Sequence, residues 1–187
     1  MRNSVFSVGV TGHRNLKESC IEHYKREIHD LLVQLKDQYK DLYVLSALSD
    51  GADRLVVEES IKLQIPFCAI LPLELEDYSD DFDPFSKQDF YGLLEQAENI
   101  VITKKAVSIE QASQRDLQYK ACGQEICDES DVLISLWDGV SSNLMGGTSE
   151  TLRYCLQNRD TIVYNMKVSR RGDVSNIKAQ FKEINTF

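Results

Sequence analysis

Short apolar runs alternate with amphipathic helical segments along most of this 187-residue chain. Continuous apolar strands separated by helices are typical of a parallel sheet that is covered on both faces, and the crossovers between parallel strands are right-handed. The sequence therefore predicts an α/β fold: a single Rossmann-like, doubly wound, mainly parallel sheet with helices on both faces, in one domain of residues 1–187. The predicted strands cover residues 4–10, 43–48, 66–71, 99–103, 132–136 and 161–165.

Composition limits the classes of partner that we expect. The net charge of −9 argues against a nucleic-acid partner, because such proteins usually present a basic face. No apolar run approaches the roughly 20 residues of a membrane helix, and the N-terminus lacks the pattern of a secretory signal. We therefore expect a cytoplasmic protein with no membrane partner. The five cysteines are an odd number, which indicates reduced, mostly buried thiols.

No metal site and no cofactor are predicted. The cysteines and histidines lack the spacing of a metal site. Residues 74–84 carry six carboxylates, but such runs are usually solvated loops, and we expect a loop here. The chain has neither GxGxxG nor GxxxxGK[ST], which argues against an NAD dehydrogenase and against a P-loop NTPase. The polar tail beyond residue 165 is expected to hold at most one short helix.

The loops that follow the predicted strands are the candidates for a binding site. In doubly wound sheets, ligands bind at the carboxyl ends of the strands, near the switch in strand order. That rule selects residues 11–14, residues 46–53, the chain from residue 72 and residues 137–150.

Residues 131–153 combine a strand, a glycine-bearing loop and a helix start. Gly146, Gly147 and Thr148 are predicted to hold phosphate, because backbone N–H groups and the positive end of a helix dipole attract anions. The alternative is an ordinary connection in which the glycines ease a turn and Thr148 caps the helix.

Two further residues of this stretch each have two interpretations. Trp137 either stacks on a nucleobase or packs beside the core. Glu150 lies in the first helical turn, where the dipole favours a carboxylate. If it faces the pocket instead, it binds ribose hydroxyls or acts on a glycosidic bond.

The loop after the first strand reads Thr11-Gly12-His13-Arg14. Gly12 permits close backbone approach, Thr11 offers a hydroxyl and an N–H group, and Arg14 offers a bidentate fork for phosphate. A surface ion pair is the alternative for Arg14. His13 is either a general acid or base or a hydrogen-bonded loop histidine.

The loop after the second strand contains Asp50, Gly51 and Asp53. Either aspartate can cap the following helix, and Asp50 is also a candidate ligand-binding residue near a ribose. Gly51 is expected to ease close approach to a ligand.

Four segments together resemble the SLOG superfamily: VGVTGHRNL, SALSDGADRLVVE, SDVLISLWDG and GGTSETLRY. This group is Rossmann-like and includes the "lonely guy" phosphoribohydrolases, the DNA-processing protein A fold and many bacterial nucleotide-sensing domains. The resemblance covers most of residues 4–165. It implies a nucleotide-derived ligand across the strand ends, with phosphate on Gly146, Gly147 and Thr148 and further contacts from Gly12 and Arg14.

A second resemblance is to nucleoside deoxyribosyltransferases and deoxynucleotide N-glycosidases. Their GTxxE-like motif is similar to residues 147–150 and implies a catalytic role for Glu150.

The sequence leads to one preferred function, one enzymatic alternative and a third possibility, a structural or interaction protein with a vestigial pocket. The preferred function is a cytoplasmic domain that senses a nucleotide or nucleotide derivative without catalysis. The resemblance implies a homo-oligomer, and we expect the domain to signal to a separate effector protein. The alternative is an N-glycosidase, phosphoribohydrolase or deoxyribosyltransferase that acts through Glu150.

Overall fold

Seven strands form one sheet in the part of the chain that the computed structural model describes, which is residues 5–104, 113–142, 144–158, 161–174 and 179–186. The strands are β1 (Phe6–Gly12), β2 (Leu42–Ser46), β3 (Phe67–Leu71), β4 (Asn99–Ile102), β5 (Val132–Trp137), β6 (Ile162–Lys167) and β7 (Phe181–Ile184). The helices are α1 (Ile21–Gln38), α2 (Ala52–Lys62), α3 (Leu75–Ser79), α4 (Pro84–Leu94), α5 (Gln114–Asp128) and α6 (Thr148–Asn158).

The order across the sheet is β4-β3-β2-β1-β5-β6-β7. Neighbouring strands are parallel except β7, which runs antiparallel to β6. The chain builds outward from β1 to β4 on one side and then places β5 on the other side of β1. The strand order therefore switches between β1 and β5, which puts a crevice at the carboxyl ends of these two strands. The predicted Rossmann-like, mainly parallel sheet is confirmed.

Helices cover both faces of this sheet, and β5 shows how. Val132, Ile134 and Leu136 pack in a cluster with residues of α1, α2 and α4. Leu133 packs in a second cluster with residues of α5 and α6. Because alternate side chains of a strand point to opposite faces, a strand buried on both faces needs a continuous apolar run. Because β5 is buried on both faces, its carboxyl end lies in the centre of the sheet.

Two sequence expectations are wrong in the described residues. The acidic segment is not only a solvated loop: it contains α3, in which Tyr78 and Ser79 are buried, because Tyr78 packs edge-on against Phe82 and Phe90. The polar tail forms a strand, β7, rather than a helix. β7 pairs with the edge of β6 in the register Met166↔Phe181.

Within the described ranges, no helix has both the length and the apolar character needed to cross a membrane, and no group of three or more His, Cys, Asp or Glu side chains is arranged to hold a metal ion. All five cysteines are among the described residues; they are buried and form no disulfide.

Candidate functional site

A cleft of 690 Å³ opens where the carboxyl ends of β1, β2 and β5 meet. The N-terminal ends of α2, α5 and α6 border it and contribute Asp53, Arg115 and Thr148 to its lining. Helix N-termini carry the positive end of the helix dipole, so the cleft suits an anionic group. A smaller cavity of 530 Å³ lies at the amino ends of the strands, beside Lys36 and Tyr43, away from the strand-end loops.

Gly12 brings the end of β1 against the start of α2. A Cβ atom at this position would lie 2.3 Å from the Cβ of Ala52 and 2.9 Å from the carbonyl oxygen of Leu136. The next residue extends the contact, because the His13 N–H donates to the Leu136 carbonyl (3.0 Å) and the His13 carbonyl accepts from the Ala52 N–H (3.1 Å). The loop after β1 is therefore fixed between β5 and α2.

His13 and Arg170 meet at Asp138, just beyond β5. The His13 Nε2 lies 3.0 Å from one oxygen of Asp138. Arg170 lies 3.5 Å from the other oxygen and donates to the Asn15 side chain at 3.0 Å. Burial works to raise the pKa of Asp138, but the Val140 N–H, His13 and Arg170 hold the pKa below its ordinary value. His13 thus lines the cleft beside Asp138, and the choice between its two interpretations stays a prediction.

Arg14 and Arg115 converge on Asp81, which follows α3. The Arg115 guanidinium donates to one oxygen of Asp81, and the Tyr119 hydroxyl donates to the other. Arg14 lies 4.0 Å from Asp81 and 5.7 Å from the centre of the Tyr119 ring. Burial works to lower the pKa of Arg14, but the surrounding phenols and carboxylates raise it overall, so this side chain keeps its positive charge.

Asp53 and Tyr78 form the buried floor of the cleft. Asp53 is 4% exposed, and it accepts the Ser49 N–H at 3.3 Å. Burial raises the pKa of Asp53 from 3.8 to about 6, against the opposing effects of Ser49 and of the nearby arginines. The Tyr78 hydroxyl is buried and has no hydrogen-bond partner among the described residues, and burial raises its pKa well above the ordinary value.

The loop before α6 is closed by its own contacts. The Gly146 N–H donates to a carboxylate oxygen of Glu150 (2.6 Å), and the Gly147 N–H donates to the Leu144 carbonyl (3.3 Å). These two N–H groups are therefore not presented to a ligand in the way that the sequence suggested. The first two amides of α6, those of Thr148 and Ser149, have no acceptor within the helix and are the candidate donors to an anion.

Glu150 fits the capping interpretation. One carboxylate oxygen accepts the Gly146 N–H, and the other lies 2.9 Å from the Lys120 ammonium. A glutamate at the third helical position that reaches back to the chain before the helix resembles a capping box. Glu150 does not line the cleft, because these two contacts draw it towards α5.

The role of Glu150 can be tested by its effect on stability. Glu150→Ala should lower the free energy of unfolding by about 1–2 kcal/mol, since the variant loses both contacts. Glu150→Gln should lose less stability than Glu150→Ala, because an amide oxygen still accepts the Gly146 N–H. Urea unfolding of both variants measures the difference. Equal stability of wild type and Glu150→Ala would contradict the capping role.

Three other predicted binding residues also lie outside the cleft lining. Asp50 pairs with Arg54 at 2.9 Å and accepts from the Ser86 hydroxyl, which ties α2 to α4. A Cβ atom at Gly51 would lie 2.4 Å from the carbonyl oxygens of His13 and Arg14, so this glycine lets the start of α2 approach the loop after β1. Trp137 packs against the cluster of α5 and α6, which agrees with the interpretation that it packs beside the core. Its indole N–H donates to the Val140 carbonyl at 3.2 Å.

The cleft brings together part of the predicted site and adds residues that were not predicted to bind a ligand. The predicted residues that line it are Thr11, Gly12, His13, Arg14, Gly146, Gly147 and Thr148. The added residues that supply polar groups include Asp53, Tyr78, Asp81, Arg115, Tyr119 and Arg170. Asp53, Tyr78 and Asp81 lie in stretches that the strand-end rule selects, whereas Arg115 and Tyr119 of α5 and Arg170 after β6 lie outside those stretches.

Solved structures of other proteins share this fold. DNA processing protein A from Streptococcus pneumoniae superposes with a TM-score of 0.56 at 14% sequence identity, over 87% of this chain and 50% of that chain. DNA processing protein A from Helicobacter pylori superposes with a TM-score of 0.57 at 16% identity, over 91% of this chain and 69% of that chain. This chain thus spans about half the length of the first protein. No protein-family model matches the chain, and no curated protein is similar to it.

The expectation that excluded nucleic acid as a partner is wrong. The protein from H. pylori has the same fold and binds single-stranded DNA. Net charge describes the whole surface, whereas contacts to phosphates depend on a few local donors, so the value of −9 cannot support the exclusion. At these identities the likeness concerns the fold, which is what the resemblance to the SLOG superfamily implied. The chain has the Rossmann-like fold of DNA processing protein A, and the fold predicted from its SLOG resemblance is confirmed.

Proposed function

We propose that the cleft binds a nucleotide or nucleotide derivative through its phosphate, and that the chain is a sensing domain rather than an enzyme. One observation carries this proposal: the N-terminal end of α6 opens into the same cleft as Arg14, Arg115 and Arg170. Backbone amides at a helix start and guanidinium groups are the donors that phosphate prefers.

The charges around the cleft support a bound anion despite the acidic composition. The side chains of Arg14, Arg115 and Arg170 are 42%, 43% and 43% exposed. Each pairs with a carboxylate and still has part of its side chain exposed to solvent. A local field of this kind attracts an anionic ligand whatever the sign of the net charge.

The contacts of Glu150 favour binding over hydrolysis. N-glycosidic cleavage through this residue needs a carboxylate close to the sugar, whereas both oxygens of Glu150 are engaged by Gly146 and Lys120. The likeness to the H. pylori protein favours single-stranded DNA as a second candidate ligand, since its phosphates offer the same chemistry.

Thermal unfolding with a panel of ligands tests the proposal. The panel holds nucleoside mono-, di- and triphosphates, their deoxy forms, NAD derivatives and short single-stranded oligonucleotides. A ligand at about 100 times its Kd should stabilise the protein by about 2.7 kcal/mol, because it binds the folded state alone. Arg170→Ala should weaken the binding of that ligand about tenfold.

Arg171→Ala is the matched control. Arg171 is 72% exposed, pairs with Glu18 at 3.3 Å and does not line the cleft, so this variant should bind as the wild type does. If no member of the panel raises the melting temperature, the proposal fails. Release of free base that disappears in Glu150→Gln would establish the enzymatic alternative instead.

A further inference from the structure

Asp81 occupies a position in the cleft where two arginines and a phenol converge. The Arg115 guanidinium and the Tyr119 hydroxyl each donate to one of its carboxylate oxygens, and the Arg14 guanidinium lies 4.0 Å away. The Asp81 side chain is 19% exposed. Three donors from two different elements thus surround one singly charged group.

The donors are held in place by contacts that do not depend on Asp81. Arg115 also donates to the Asp77 carbonyl at 3.1 Å, and the Tyr119 ring packs 6.2 Å from the ring of Tyr78. The Arg115 guanidinium lies 5.8 Å from the centre of the Tyr119 ring. A site whose donors are preorganised in this way loses little entropy when an anion binds.

The chemistry of this cluster fits phosphate better than a carboxylate. Guanidinium forks match the oxygens of a phosphate in pairs, and a phosphate dianion offers more acceptors and more charge than a carboxylate. Burial, followed by Asp81, raises the pKa of Tyr119 to about 12, so the phenol keeps its proton and remains a donor. Asp81 itself follows the short helix α3, and its N–H bonds only locally, to Tyr78.

We infer that Arg14, Arg115 and Tyr119 form a second phosphate subsite, for which the Asp81 carboxylate competes as an internal anion. The inference rests on the proposed function and adds to it the class of ligand: a compound whose phosphoryl group displaces Asp81, while the N-terminal end of α6 holds another part of the anion. The Asp81 carboxylate then lowers the affinity of the cleft for phosphate, because it competes for the same donors.

Calorimetric titration with inorganic phosphate and with pyrophosphate tests this competition. Asp81→Asn keeps the shape of the side chain and removes its charge. The variant should bind these anions about tenfold more tightly than the wild type, since a like charge beside the subsite is gone. The same variant should be slightly less stable without ligand, because it loses ion pairs. A residue with only a structural role would not raise affinity while lowering stability.

Asp80→Asn is the matched control. The Asp80 carboxylate pairs with Lys87 at 2.8 Å and does not line the cleft, so this variant should bind phosphate as the wild type does. Adding Arg115→Ala to Asp81→Asn should remove the gain in phosphate affinity.

The outcomes separate the two proposals. Anion binding that is weakened by Arg170→Ala but unchanged in Asp81→Asn would overturn the second subsite and leave the proposed function standing. Binding of neither phosphate nor any nucleotide, in wild type or variant, would overturn both.

Discussion

Gly51→Ala should destabilise the protein by at least about 3 kcal/mol. Gly51 has a φ of 76° and a ψ of −118°, a conformation that residues with a side chain rarely adopt. A Cβ atom there would lie 2.4 Å from the carbonyl oxygens of both His13 and Arg14. The substitution would therefore force the start of α2 away from the β1 loop and open the cleft between them.

Two other glycines separate the backbone effect from the steric one. Gly172 also has a positive φ, of 97°, but a Cβ there meets nothing within 4 Å. Gly172→Ala should cost only the conformational strain, about 1–2 kcal/mol. Gly92 lies inside α4, with open space around it, so Gly92→Ala should stabilise the helix by up to about 1 kcal/mol. Urea unfolding of the three variants gives the comparison, and a loss for Gly51→Ala no larger than for Gly172→Ala would refute the close approach of the two loops.

The part of the fold that the sequence predicts well is the part that hydrophobic periodicity determines. A strand such as β5 is buried on both faces, so its apolar run is continuous and its position in the chain is plain. β7 is different, because its burial pattern is mixed and it is defined by antiparallel pairing with β6. Pairing between segments separated in sequence is not a local signal, so the polar tail predicts at most one short helix and no strand.

The candidate site shows the same limit at the level of side chains. The strand-end rule selects backbone positions, and it located Gly12, Arg14 and Thr148 at the cleft. It does not determine which way a side chain points. Glu150 is drawn away by Lys120, a residue of another helix. Asp81 reaches the cleft because α3 forms around the buried ring of Tyr78, a tertiary contact that the acidic composition of the segment conceals.

The pH dependence of stability should reveal Asp53 as a buried carboxylate. Burial raises the pKa of Asp53 from 3.8 to about 6, so the folded state binds this proton more tightly than the unfolded chain does. Folding is therefore favoured when the carboxyl is protonated, and the wild type loses stability as the pH rises through the window between these two values. Asp53→Asn cannot titrate. The free energy of unfolding of the wild type, minus that of Asp53→Asn, should fall by about 2 kcal/mol between pH 4 and pH 7, and by about 3 kcal/mol over the whole transition.

Asp138→Asn provides a control with the opposite sign. Hydrogen bonding and nearby positive charge hold the pKa of Asp138 below its ordinary value against the effect of burial, so Asp138 contributes stability above its unfolded pKa and loses it as the pH falls. Urea unfolding of the three proteins across the acidic range would show slopes of opposite sign for the two aspartates. A flat difference between wild type and Asp53→Asn would mean that Asp53 is solvated and ionised across this range. At neutral pH the Asp53 carboxylate is mostly ionised in either case, so an anionic ligand has to bind against its charge.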